Sequence, residues 1–184
     1  AIGDKTVAEL STLNFTATAT DPDQPAQTLT FSLVDGLEGS VPTGASISPS
    51  GVFSWTPTEE QGPSVYTFDV CVSDGALSDC ETITVTVYEV NVEPVLSAIG
   101  NQTVVELVEL TFTATATDSD RPAQSLTFSL VDAPAGASIV AATGAFSWTP
   151  TEEQGPGEVT FDVCVSDGLL SDCETITVTV TAVN

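Results

Sequence analysis

Residues 70–85 read VCVSDGALSDCETITV, and residues 163–178 read VCVSDGLLSDCETITV. In each stretch two cysteines stand symmetrically about a glycine and its successor: Cys71 and Cys80 about Gly75 and Ala76, Cys164 and Cys173 about Gly168 and Leu169. A two-residue connection with glycine first is the mark of a type II′ hairpin turn, whose twist matches that of the strands it joins. Such a turn sets each cysteine directly opposite its mate across an antiparallel pair, at the roughly 4.5–5.5 Å spacing that suits a disulfide. The pattern therefore predicts the bridges Cys71–Cys80 and Cys164–Cys173, each closing a short loop and contributing about 2–3 kcal/mol. Thiol ligation of a metal would need clustered thiols or histidines, and the chain has no His. Two such disulfides imply an oxidising, extracytoplasmic setting. The same register turns Glu81 inward opposite Val70, so a bulge or a rim position is expected there.

Outward from the hairpins, apolar residues keep a period of two. Leu13, Phe15, Ala17 and Ala19 share one face, as do Leu29, Phe31 and Leu33, then Phe53 and Trp55, then Tyr66, Phe68, Val70 and Val72, then Ile83, Val85 and Val87. This is the alternation of half-buried strands, and no stretch of helical spacing competes with it. A short first strand around Lys5 to Glu9 and another near Ala45 to Ser48 bring the count to about seven, that of an immunoglobulin-like sandwich. Trp55 and Trp148 are read as core residues.

The whole pattern occurs twice. AIGDKTVAEL at residue 1 matches AIGNQTVVEL at 98, an offset of 97, and FSWTPTEEQGP at 53 returns at 146, an offset of 93, so one loop is four residues shorter in the second copy. Two modules are expected, residues 1–91 and 92–184, as all-β sandwiches arranged end to end with almost no linker.

Composition narrows the function. Twenty-six Asp and Glu face two cations, Lys5 and Arg121, for a formal charge of −24, yet 41% of residues are hydrophobic, enough for two cores. Nucleic-acid binding is excluded as a reading, because neutralising phosphates requires Lys and Arg. No apolar run approaches the roughly 18 residues of a membrane span, so no membrane insertion is expected. No basic and apolar leader opens the chain, which places any export signal or anchor elsewhere. NFT at Asn14 and NQT at Asn101 match the N-glycosylation acceptor pattern.

The carboxylates are not scattered evenly. TATATDPD, residues 16–23, returns as TATATDSD at 113–120, each ending on two aspartates one residue apart. Carboxylates this close oppose each other's ionisation unless a cation lies between them, and Ca²⁺, which takes six to eight oxygen ligands, is the natural partner. Asp118 and Asp120 end a strand, Asp167 sits at the hairpin turn, and Glu89, Asn91 and Glu93 of YEVNVEP add oxygens at the join.

At this point the chain resembles tandem cadherin-like modules, especially the dystroglycan-type cadherin-like or immunoglobulin-like repeats of microbial surface proteins. The resemblance rests on the order of Glu9 in VAEL, TDPD, WTPTEE, VSDG and the VN-x-x-P join, and covers nearly the whole chain twice. It implies Ca²⁺ between successive modules, held by Glu9, Glu59, Glu60, Asn91, Glu93, Asp118, Asp120 and Asp167. Asp21, Asp23 and Asp74 would form an outer half-site of the first module, and Glu106, Glu152, Glu153 and Asn184 one of the second. TEE stands where cadherins carry Asp-x-Glu, and Val92 where their linkers often carry Asp, so one or two ions are expected rather than a full set.

The expected function is a calcium-rigidified structural or adhesive repeat of an extracellular surface protein or filament. Its partners would be neighbouring modules of the same or identical chains, with glycans or another surface protein beyond them. The alternative is a carbohydrate-binding accessory module, which would show an exposed aromatic row near Trp55, Tyr66 or Tyr88. An enzyme is not expected: there is no His and no glycine-rich phosphate loop, and Glu59 and Glu60, adjacent in an extended chain, would point to opposite faces.

Overall fold

A computed structural model describes residues 1–183. The chain divides into two compact units, Ala1–Val90 and a second beginning at Asn91. In the first, β1 (Lys5–Ala8), β2 (Leu13–Thr16), β3 (Thr30–Val34), β4 (Ser46–Ile47), β5 (Val52–Trp55), β6 (Ser64–Ser73) and β7 (Ser78–Tyr88) form two sheets, ordered β1-β7-β6-β3 and β2-β5-β4. In the second, β9 (Gln102–Val105), β16 (Ser171–Thr181), β15 (Gly157–Ser166) and β12 (Thr127–Val131) repeat the first sheet, and β10 (Leu110–Thr113), β14 (Ala145–Trp148) and β13 (Ser138–Ile139) repeat the second. It has one further pair, β8 (Val95–Leu96) with β11 (Ala116–Thr117).

Alternation explains the layers, because inward residues of both sheets meet in one core. Phe15, Phe53 and Phe68 stack in series with centroids 4.5 and 6.0 Å apart, and Phe112, Phe146 and Phe161 repeat this at 4.4 and 5.7 Å. Trp55 and Trp148 are buried, at 1% and 0% exposure. The indole N–H of Trp55 donates to Thr43 O at 3.3 Å, and its ring meets Tyr66 edge-on.

The hairpins form as their sequence requires. Cys71 pairs opposite Cys80 and Cys164 opposite Cys173, and both pairs are disulfide-bonded with Cα atoms 4.1 Å apart. Gly75 and Gly168 turn the chain at φ of 95° and 101°, a region that strains residues with a Cβ. The question over Glu81 resolves without a bulge. Glu81 stays in register with Val70 at the sheet rim, where its carboxylate accepts the N–H groups of Ile2 (2.7 and 2.8 Å) and Gly3 (2.9 Å). Glu174 does the same for Ile99 and Gly100, so in each module this glutamate ties down the segment entering the first strand.

Two local expectations are corrected. The TATAT alternation does not form one strand: β2 stops at Thr16, leaving Ala17 buried but Ala19 exposed. Glu59 and Glu60 are not in an extended chain but in a 3-10 turn, Glu59–Gln61, capped reciprocally by Thr58 and Gln61. Thr58 and Gln61 satisfy each other's backbone in this capping box, which outweighs any extended preference.

Candidate functional site

Two groups of three carboxylates come together among the described residues, one in each unit. In the first unit, β1 runs parallel to β7 and ends beside Tyr88, so Glu9 arrives next to Glu89. Leu10, at φ 58°, donates its N–H to Pro57 O at 2.8 Å and draws in the turn carrying Glu59. Oxygens of Glu9, Glu59 and Glu89 lie within 4.8 Å of one another. Glu9 is 1% exposed; its Oε1 accepts Val90 N–H at 3.0 Å, while its buried Oε2 has no hydrogen-bond partner. A buried carboxylate oxygen left this way is costly unless a charge of opposite sign completes it. Gly62 presses against the carboxylate so closely that any Cβ there would collide with it. Lys5 does not supply the charge, since its ammonium bonds the carbonyls of Ile2 and Gly3.

In the second unit the group is Asp118, Asp120 and Asp167, again with oxygens within 4.8 Å. Asp118 follows β11 directly; its Oδ1 accepts Asp120 N–H at 3.0 Å and its buried Oδ2 has no hydrogen-bond partner. Asp120, 4% exposed, accepts Val92 N–H at 3.0 and 3.1 Å and the Gln124 amide at 3.1 Å. Asn91 joins the set, donating to Asp167 Oδ2 at 2.8 Å and accepting from Gln124 at 2.6 Å.

Asp167 also holds the hairpin turn through Leu169 and Leu170 N–H at 2.6 and 2.7 Å. Its surroundings work against ionisation by desolvation, but these two N–H groups and the Asn91 amide outweigh that and hold the carboxyl below its ordinary pKa. Asp74, its counterpart in the first unit, is held low in the same direction by Leu77 and Ala76 N–H. In both, one oxygen builds the turn. At Asp167 the other meets Asn91.

The remaining candidate residues fall differently. Glu60 and Glu93 are exposed and lie outside both groups. Asp21 and Asp74 line one shallow hollow, and Asp23 is exposed with its N–H bonded to Asp21, but the three do not converge as their counterparts do. Glu106 is buried at 6% and accepts Val183 N–H at 3.3 Å, whereas Glu152 and Glu153 are exposed. Ala182 stands at the position that matches Glu89 in the offset of 93, so the second unit lacks a third carboxylate there; Asn184 lies outside the described residues. Gln124 is the polar residue that the motifs did not single out. Its signal was present in the repeated PAQ of residues 25–27 and 122–124, one turn beyond each aspartate pair.

No aromatic row suited to stacking a sugar is exposed among the described residues. Both tryptophans are buried, and Tyr88 is the one aromatic ring substantially in solvent, at 53%.

Comparison with curated proteins gives no match. Among solved structures the chain is similar to mouse cadherin-23 repeats EC22–24, at 20% identity and a TM-score of 0.61, over 98% of this chain and 64% of that one. It is similar also to Drosophila N-cadherin EC1–4, at 16% and 0.61 over 97% and 48%, and to human protocadherin-24 EC1–2, at 15% and 0.53 over 86% and 85%. The chain thus spans less than two thirds of the first two, and at these identities the likeness is one of fold. The family described as "Putative Ig domain" matches residues 1–88 and again 93–181. With nearly every residue in one match or the other, the chain belongs to that family as two tandem copies.

Proposed function

We propose that this chain is an extracellular structural or adhesive repeat of a surface protein or filament, stiffened by Ca²⁺ at the junction between its modules. The observation that carries the reading is the Glu9 carboxylate, 1% exposed, with one buried oxygen unmatched by any hydrogen bond and two more carboxylates within 4.8 Å. Donors that are all oxygen, without imidazole or free thiol, suit a hard cation rather than zinc or copper. Ca²⁺ tolerates such irregular carboxylate sets, whereas Mg²⁺ demands near-octahedral geometry. Glu9, Glu59 and Glu89 would hold one ion, with Glu60 at the rim. Asp118, Asp120, Asp167 and Asn91 would hold another, with Glu93 nearby.

At a hundredfold excess over its dissociation constant an ion contributes about 2.7 kcal/mol, enough to fix a junction between two self-sufficient cores. Extracellular modules reach this with constants of about 10⁻⁴ to 10⁻³ M. The disulfides fit such a setting. The cadherin repeats of similar fold support a role in contacts with neighbouring modules or identical chains. The Ig-like repeat fold points to a module without catalysis of its own. Asp21, Asp23 and Asp74 at one outer end, and Glu106, Glu152 and Glu153 at the other, would serve weaker half-sites.

Small-angle scattering titrated with calcium and then chelator, alongside calorimetry, tests the reading. Uptake of one or two ions with a change from a broad to a single extended shape is expected, and Asp118→Ala with Asp120→Ala should abolish it. An unchanged shape without saturable uptake overturns it.

A further inference from the structure

Several side-chain acceptors outside both carboxylate groups fall along one line in the second module. There β9 runs parallel to β16, with Gln102 to Val105 in register with Val178 to Thr181, and Glu106 N–H continues the ladder by donating to Thr181 O at 2.9 Å. Upstream of Gln102 this backbone ladder stops, where the chain passes through Gly100 at φ 71°. Side chains take over from there. Asn101 Oδ1 accepts Thr177 N–H at 2.9 Å, Glu174 accepts the N–H groups of Ile99 and Gly100 at 2.6 and 2.8 Å, and Asp172 Oδ2 accepts Leu96 N–H at 2.8 Å. These contacts ascend together in both chains, so the segment from Leu96 to Glu106 lies along the last strand throughout.

The first module repeats the arrangement. Glu81 accepts the N–H groups of Ile2 and Gly3, Asp4 Oδ1 accepts Thr84 N–H at 3.0 Å, β1 pairs in parallel with Val85 to Tyr88, and Glu9 N–H donates to Tyr88 O at 3.1 Å. Strand direction decides the mechanical consequence. In a parallel pair made of a module's first and last strands, the chain enters at one end of the seam and leaves at the other, so tension along the chain slides the strands past each other and strains every rung at once. Tension applied to both strands at the same end opens the rungs one after another. Hydrogen bonds to carboxylates are roughly twice as strong as neutral ones, so the side-chain rungs lengthen and reinforce the seam. Sliding must also move Val104, Val178 and Val180 through close-packed surroundings, since they are 6%, 0% and 1% exposed.

We propose that each module is a force-bearing unit in which the first segment and the last strand form a seam loaded in shear. Asn101, Asp172 and Glu174 in the second module, and Asp4 and Glu81 in the first, are its load-sharing side-chain rungs. Resistance to forced unfolding is set by the barrier that this seam opposes to tension, which depends on the direction of pulling, whereas equilibrium stability has no direction. The seam acts apart from cation binding, since none of these side chains belongs to either carboxylate group.

The test is single-molecule force spectroscopy on the second module within the full 184-residue chain, in chelator so that cation uptake plays no part. Click-reactive residues carry the handles and leave both disulfides intact. Handles at exposed Glu93 and at the C terminus load the seam in shear, and handles at exposed Val108, in the turn after β9, and at the C terminus load it from one end. At equal loading rate the unfolding force should be about fourfold higher in the first geometry, because four register pairs share the load instead of one. Asn101→Ala combined with Glu174→Ala should lower the force in the first geometry and leave the second unchanged. Equal forces in the two geometries overturn the proposal. An equal loss in both geometries from the double variant gives these side chains a role in general stability and overturns their assignment as rungs. The comparison of geometries alters no residue of the seam, so it decides the matter even where the double variant does not fold.

Discussion

Replacing Glu9 by Gln should change the sign of its effect when calcium is added. Without calcium, Glu9, Glu59 and Glu89 hold three like charges with oxygens within 4.8 Å. At that separation and an effective dielectric of about 20, each pair repels by roughly 3.5 kcal/mol. The substitution removes two of the three pairs and keeps the amide oxygen as acceptor for Val90 N–H. Because Glu59 and Glu89 are only half-buried, solvent screening leaves a fraction of this, and a net gain of about 2 kcal/mol is a reasonable expectation. For a domain of this size that raises the first module's melting temperature by roughly 8–16 °C. In calcium at a hundredfold excess over its dissociation constant, the unmodified protein recovers about 2.7 kcal/mol that the variant forgoes, so the order narrows or inverts. Scanning calorimetry in chelator and in millimolar calcium measures both arms. A variant less stable than the parent in chelator, or a calcium increment equal in both proteins, would refute the reasoning.

Other outcomes follow from the same geometry. Ala182→Glu supplies the carboxylate that Glu89 provides in the first module, so titration calorimetry should record one additional ion per chain beside Glu106. Gly62→Ala, at φ −112° where alanine is unstrained, drives a methyl into the Glu9 carboxylate and should abolish uptake at that group while leaving uptake by the aspartate group of the second module intact. Replacing Cys71 and Cys80 by Ser opens a loop with a sequence separation of 9, and chemical denaturation should show a loss of about 2.7 kcal/mol in the first module. Glu81 has its pKa lowered by Gly3 and Ile2 N–H groups, the amino terminus and Lys5, against desolvation. Its contribution is therefore complete above the unfolded-state value and is lost as pH falls through the lower folded value. Glu81→Gln should flatten the acid limb of a stability profile below about pH 4.5, and an unchanged limb would contradict this.

Much of this protein was legible from local pattern. Period-two alternation fixes which residues face the core, because successive side chains of a strand point to opposite sides, so Phe53, Trp55, Phe68 and Val85 could be placed inside before any contact was known. The cysteine spacing fixed the hairpin register, and with it both disulfides, because a two-residue turn leaves one way to pair the strands. The second aspartate pair, the second VSDG and the first WTPTEE string marked Asp118, Asp120, Asp167 and Glu59, all of which stand in one or other of the two carboxylate groups.

Which carboxylates meet was a tertiary decision. Glu59 joins Glu9 and Glu89 while its neighbour Glu60 faces solvent, because a capping box between Thr58 and Gln61 winds the segment into a 3-10 turn that alternation could not foresee. Glu9 reaches Glu89 through a parallel pairing of strands about eighty residues apart, a contact that no local spacing encodes. Glu81 needed no bulge, since the backbone of Ile2 and Gly3 returns to the sheet rim and satisfies it there. Residue type and period determine what a side chain can do. Only the folded chain determines which distant groups, such as Glu9, Glu59 and Glu89, come to share one low-dielectric space.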